Sequence, residues 1–302
     1  MENHPPTDEV VTRGGVTYRI HRLTEVSQIL PRLEKHRVFS AYALCQLEPE
    51  RFPHTRWYLA QGGSDEALVM HGTGSLRGPV LGLGGDLFCL GDPAALDVIL
   101  SLHPGPRYVR LWAQVKHGPT LRRHYLLRTG RPVLLFPNRS EVEVGPIEPR
   151  VKRLTGADIR EINRLFRCES IGFYRAAFID RGRWYGYFED EHLVAVSSFE
   201  TVSPTYGVAL GGRALTHPKY RGRHYIRNLM YARKHGEASR PYPLRVDTVD
   251  PANQSMMRHR SRLGLGPPVG ESLETTAFRR DPVGLVSLIR RFLARRQATN
   301  SA

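Results

Sequence analysis

Cysteine is scarce: the 302 residues hold three, Cys45, Cys89 and Cys168, far apart and without a CxxC pair. That spacing argues against both a disulfide framework and a zinc knuckle, so no metal is expected and a reducing, cytoplasmic setting fits. No stretch approaches the ~20 apolar residues of a membrane helix. The opening M-E-N-H-P-P-T-D-E-V has neither a basic leader nor an apolar signal core, and a soluble, unprocessed chain is expected. Acidic residues are in deficit, 29 against 44 Lys+Arg, leaving a net charge of +15. An excess of this size fits a polyanionic partner such as nucleic acid, an acidic membrane surface or a phosphorylated cofactor, and equally a bias of composition or solubility. Common catalytic signatures are missing as well: there is no HExxH, GxSxG or Walker A, and Gly82-Leu83-Gly84-Gly85 lacks the third glycine of a dinucleotide loop.

What the chain does contain is an internal echo. Arg22-Leu23-Thr24 is answered 131 residues later by Arg153-Leu154-Thr155. Arg56-Trp57-Tyr58 and Leu83-Gly84-Gly85 are each answered 127 residues later, by Arg183-Trp184-Tyr185 and Leu210-Gly211-Gly212. Unrelated triplets sharing an offset point to two tandem copies of one α/β unit. The expected organisation is a flexible leader over 1–15, a first copy over 16–145, a second over 146–282 and a basic amphipathic tail helix over 283–302. In that tail Leu285, Leu288, Ile289, Phe292 and Leu293 share a face opposite Arg290, Arg291, Arg295 and Arg296. Alternation predicts strands at 16–23, 56–60, 67–72, 80–90, 108–115 and 131–136, then at 183–189, 193–201, 206–216 and 243–249, with a final strand pair within 270–279. Helices are predicted after Thr24, over 39–47 and 93–100, after Thr155, over 170–179 and from Asn253 to about Leu263.

The copies differ where chemistry would sit. In the second, an apolar strand runs into L-T-H-P-K-Y-R-G-R-H-Y-I-R-N-L-M, residues 215–230, a basic turn opening an amphipathic helix. Unpaired N–H groups at a helix start carry partial positive charge, so this is an anion cradle. In the first copy the corresponding chain carries Asp92 and Asp97 and no Arg-Gly turn, which disfavours an anion there.

The basic stretch resembles the acyl-CoA pyrophosphate loop of the GNAT acetyltransferases, H-P-x-x-R-G-x-G-x-G/A. His217, Pro218, Arg221 and Gly222 match, while His224 and Ile226 replace small residues. Asn253, opening a helix that stops at Gly264-Leu265, matches a later motif of that family. The whole resembles the tandem-GNAT type with a degenerate first copy: an α/β fold of two mixed, mostly antiparallel sheets flanked by helices. The resemblance implies acetyl-CoA or another acyl-CoA as co-substrate, bound between splayed parallel strands at 206–216 and 243–249. It implies cofactor contacts from Ala214, Leu215 and Thr216, whose backbone N–H groups would hold the thioester carbonyl. Further contacts fall to Arg221, Gly222, Arg223, His224, Tyr225, Ile226 and Asn253.

Aminolysis of a thioester needs a base, oxyanion donors and stabilisation of the departing thiolate. Glu200, at a strand end facing the implied cleft, is the first candidate base and Asp250 the second. Family members often carry a Tyr acid seven residues after the motif Asn; here that position is Arg260, a permanent cation able to stabilise a thiolate, with His259 beside it as a possible donor. Two functions follow. One is acyl-CoA-dependent N-acyl transfer, in the second copy, to a small-molecule or protein amine. The other is a catalytically impaired relative that binds nucleic acid or a protein through its basic surface.

Overall fold

Leu23 and Trp57 face one another across a pair of antiparallel strands, and so do Leu154 and Trp184; Arg22 opposes Tyr58 as Arg153 opposes Tyr185. Two of the recurring triplets, Arg-Leu-Thr and Arg-Trp-Tyr, are therefore cross-strand neighbours held in the same register in both halves, as similar core packing would require. Trp57 and Trp184 are fully enclosed, and each such ring is worth on the order of 3–5 kcal/mol against truncation to Ala.

The computed structural model describes residues 8–73, 84–128, 132–138, 146–169, 174–236, 241–262 and 266–280. The first half runs β1 (Glu9–Arg13), β2 (Val16–Leu23), α1 (Val26–Glu34), α2 (Ala41–Cys45), β3 (Thr55–Gly62), β4 (Asp65–Thr73), β5 (Gly84–Gly91), α3 (Pro93–Leu102), β6 (Tyr108–Ala113), α4 (Gly118–His124), β7 (Tyr125–Leu127) and β8 (Pro132–Asn138). The second runs β9 (Val151–Leu154), α5 (Ile159–Arg167), α6 (Ala176–Arg181), β10 (Arg183–Glu189), β11 (His192–Ser203), β12 (Val208–Thr216), α7 (Tyr225–His235), β13 (Leu244–Val249), α8 (Gln254–Arg262) and β14 (Gly270–Arg279).

All of these strands belong to one mixed, mostly antiparallel sheet in the order β1-β2-β3-β4-β5-β6-β14-β8-β13-β12-β11-β10-β9, with β7 beside β14. The halves are stitched by an exchange. The last strand of the chain, β14, lies against β6 of the first half, and β8 of the first half lies against β13 of the second. Strands from either side of residue 145 thus share one sheet. Packing joins the halves too: α2, Trp57, Phe88 and Trp112 share one apolar core with Val208, Leu210, Leu244 and Val246. The Glu48 carboxylate, buried in the first half, accepts hydrogen bonds from Ser203 Oγ, Thr205 N (3.0 Å) and Thr205 Oγ1 (2.9 Å) of the second.

Several sequence expectations change. Glu9–Arg13, assigned to a flexible leader, pairs with β2 along its length. The final strand pair is one ten-residue strand, β14. α4 and β7 were not foreseen; Gly118-Pro119 starts a helix too short for periodicity to register. The tail helix over 283–302 lies outside the described residues. Among the described residues no helix is long and apolar enough to cross a membrane, and no cluster of metal-ligating side chains forms.

Candidate active site

β12 and β13 run parallel, but only Val208, Ala209 and Leu210 pair, with Leu244, Arg245 and Val246. Beyond that point β12 continues to Thr216 along β11, and β13 to Val249 along β8. The gap between them is a cavity of about 660 Å3. In the first half the equivalent parallel pair stays bonded from Gly84–Tyr108 to Cys89–Ala113, so over the described residues these two strands do not part. At the head of α3 Asp92 is the N-cap, placing a carboxylate at the positive helix end.

A strand that has lost one neighbour has backbone groups facing open space. Arg213 N–H donates to Ser198 Oγ (3.1 Å) and His217 N–H to Val194 O (2.8 Å), both on β11. Alternation along the strand turns the Ala214 and Thr216 N–H groups to the open side.

Gly211 and Gly212 let two carboxylates approach this strand. A Cβ on Gly211 would sit 1.9 Å from Asp247 Oδ1, and one on Gly212 would sit 1.8 Å from Glu200 Cγ. Asp247, on β13, binds Arg233 of α7 at 2.8 Å and Arg260 of α8 at 3.1 Å, pinning both helices to the cleft floor. Arg260 also lies 4.0 Å over the Phe136 ring. Burial lowers its pKa, with Asp247 pulling the other way. Glu200, buried on β11, meets Arg110 of the first half at 3.4 Å and Arg213 at 3.7 Å.

Glu274 of β14 also lines the cavity. Ser272 Oγ and Thr248 Oγ1 donate to it, at 3.3 and 3.4 Å. Its pKa is raised, first by burial and further by the nearby Glu200 charge, although Arg110 opposes the shift. In sequence it goes unnoticed, because a single Glu in the alternating strand G-E-S-L-E-T-T-A-F-R looks like an ordinary outward polar position. Arg110 is equally hidden, since nothing local shows that β6 will lie beside β14.

Of the residues singled out in sequence, Glu200, Ala214, Leu215, Asp250, Asn253 and Arg260 line the cavity together. Thr216 and the turn 221–226 are not on its wall, and neither is His259. Asp250 Oδ1 accepts from Ala252 N (2.8 Å) and Asn253 Oδ1 accepts from Met256 N (3.1 Å), so these side chains shape the start of α8. Tyr225 is buried, its ring stacked on Tyr187 at 4.2 Å and its hydroxyl bonded to Glu189. Ile226 packs on the same core. The turn itself has Gly222 at φ +81° and His224, the residue before α7, at φ +63°. Space around Gly222 is open: a Cβ there would meet nothing within 4 Å. Arg221 pairs with Glu169, and Arg223 lies 5.2 Å over the Tyr220 ring.

The sequence matches no protein-family model and no curated protein significantly. Solved structures do match. A Drosophila protein aligns over 87% of this chain and 98% of its own at 13% identity, with a TM-score of 0.56. A GNAT N-acetyltransferase from Kribbella flavida covers 70% and 87% at 13% identity, TM-score 0.47. A tandem GNAT protein from the clavulanic acid biosynthesis pathway covers 88% and 99% at 12% identity, TM-score 0.47. At such identities the likeness is one of fold alone, and it is the fold of the Drosophila protein that the chain shares over most of its length.

Proposed function

We propose that the chain is an acyl-CoA-dependent N-acyltransferase whose active site is the cleft between β12 and β13. The observation that carries this reading is the parting of those strands after Leu210 and Val246, in the half that holds the basic turn and not in the other. The residues fit a pantetheine-phosphate ligand. A strand edge with outward N–H groups leads into a turn with open space at Gly222, three cationic side chains, and a helix start without a side-chain cap. When bound, the acyl-CoA supplies an activated thioester carbonyl.

The chain's own residues then divide the work. The Ala214 N–H group donates to the carbonyl oxygen as negative charge develops there. Lys219, Arg221, Arg223 and the first turn of α7 hold the pyrophosphate. The Glu200 carboxylate takes the proton of the attacking amine, and Glu274 beside it is a second carboxylate through which that proton can leave. Arg260 places a fixed positive charge near the departing sulfur. The test is thiol release from acetyl-CoA with a panel of amines. Glu200→Gln is expected to lower kcat about 100-fold while leaving acetyl-CoA affinity unchanged. A wild-type protein that releases no thiol with any amine contradicts the reading, and an unchanged kcat in the variant removes Glu200 as the base.

A further inference from the structure

A second cavity, of about 240 Å3, lies between the halves, walled by Thr73 and Asp86 of the first and by Phe178 and Arg181 of the second. It shares three residues with the larger cleft: Arg110, Glu200 and Leu210. Glu200 therefore stands where the two spaces meet, reachable from both sides.

We propose that this smaller cavity is the acceptor site and that it takes a small amine bearing its own carboxylate, an amino acid or a close analogue. The inference rests on the acyl-transfer reading and specifies the acceptor for it. Size is the first argument: the volume falls below the roughly 300–1,000 Å3 of pockets for drug-sized ligands. It suits a small molecule and not a folded protein's terminus with its neighbours. Charge is the second. Asp86 and Glu200 supply negative charge for an ammonium group, and Glu200 is also the group placed to deprotonate it. Arg181, exposed at the end of α6, has no ion-pair partner among the described residues although it lines the cavity. Arg51 adds a second guanidinium, held by Cys45 O at 3.1 Å. A polyamine would set extra positive charge against Arg51, Arg110 and Arg181, and a simple alkylamine would leave Arg181 unmatched. An α-carboxylate answers it by accepting paired N–H bonds from the guanidinium.

In the transfer the amine nitrogen forms the new C–N bond and the C–S bond breaks. The ammonium yields its first proton to Glu200, which passes it on through Glu274; the second, lost as the amide forms, goes to the thiolate that leaves with the electron pair of the broken bond. The experiment compares thiol release from acetyl-CoA with the common amino acids as free acids, as amides and as the decarboxylated amines. At least one free acid is expected to exceed its amide and its amine by tenfold or more in kcat/KM. Arg181→Gln is expected to erase that preference by raising KM for the acid, with acetyl-CoA affinity unchanged. Amides or polyamines that react as well as acids, or a preference that survives Arg181→Gln, overturn the proposal while leaving acyl transfer intact. If acetyl-CoA itself does not bind, the transfer reading has failed. Calorimetric titration with the free amino acids then decides the cavity alone: binding lost in Arg181→Gln supports it, and no binding by the wild type overturns it.

Discussion

His224 holds a left-handed backbone at φ +63° at the mouth of α7, a conformation that costs an L-residue about 1–2 kcal/mol and a glycine almost nothing. The sequence resemblance marks this position as one where a small residue is usual, and the structure gives the reason in the turn's own dihedral. His224→Gly is expected to raise unfolding stability by about 1 kcal/mol and to tighten acetyl-CoA, read by denaturant titration and calorimetry. Weaker binding would mean that the imidazole contributes to anion binding. Glu274 makes a second prediction. Its folded-state pKa is raised above the ordinary 4.5, burial being the main cause. Between those two values the native protein binds more protons than the unfolded chain, so this residue's contribution to stability falls as pH rises through the window. Glu274→Gln is therefore expected to be more stable than the wild type at about pH 8 and to converge with it at about pH 4, measured by denaturant unfolding at both.

At the scale of elements, the cleft exists because β12 and β13 pair for three residues and then part. Asp247 holds the parted arrangement together by binding α7 and α8 through arginines that are 8% and 6% exposed. Removing the carboxylate leaves two buried guanidinium groups without this counter-charge. Asp247→Ala is expected to cost about 3 kcal/mol, with Asp247→Asn costing less, as read from denaturation midpoints. A loss under ~0.5 kcal/mol, the usual size of a surface substitution, would show that the helices are held elsewhere. These elements were largely legible in sequence: alternation located every strand but β1, β7 and β9, and the Arg-Gly turn located the start of α7. Side-chain roles were less legible. Asp250 and Asn253 line the cleft and also accept from backbone N–H groups at the start of α8, while Tyr225 stacks on Tyr187. Local pattern cannot separate a polar residue that caps a helix from one that faces a ligand, because both sit at the same strand-to-helix junction.

Across the whole molecule, three short triplets recur between the halves, and two of them, Arg-Leu-Thr and Arg-Trp-Tyr, face each other in the same register in both. The exchange of β8 and β14 was not visible. It depends on pairing between strands separated by more than a hundred residues, and no local signal encodes such a choice. That exchange sets Arg110 of the first half beside Glu200 and Glu274 of the second, so residues of both halves line the cavity. The central claim is that acyl-CoA binds in the β12/β13 cleft. Calorimetric titration with acetyl-CoA tests it most directly, on the wild type and on Ala214→Trp, which fills the cleft from an exposed position on β12. The expected result is one saturable site per chain in the wild type and its loss in a folded Ala214→Trp protein. No heat at millimolar acetyl-CoA, or equal binding by the two proteins, would contradict the account.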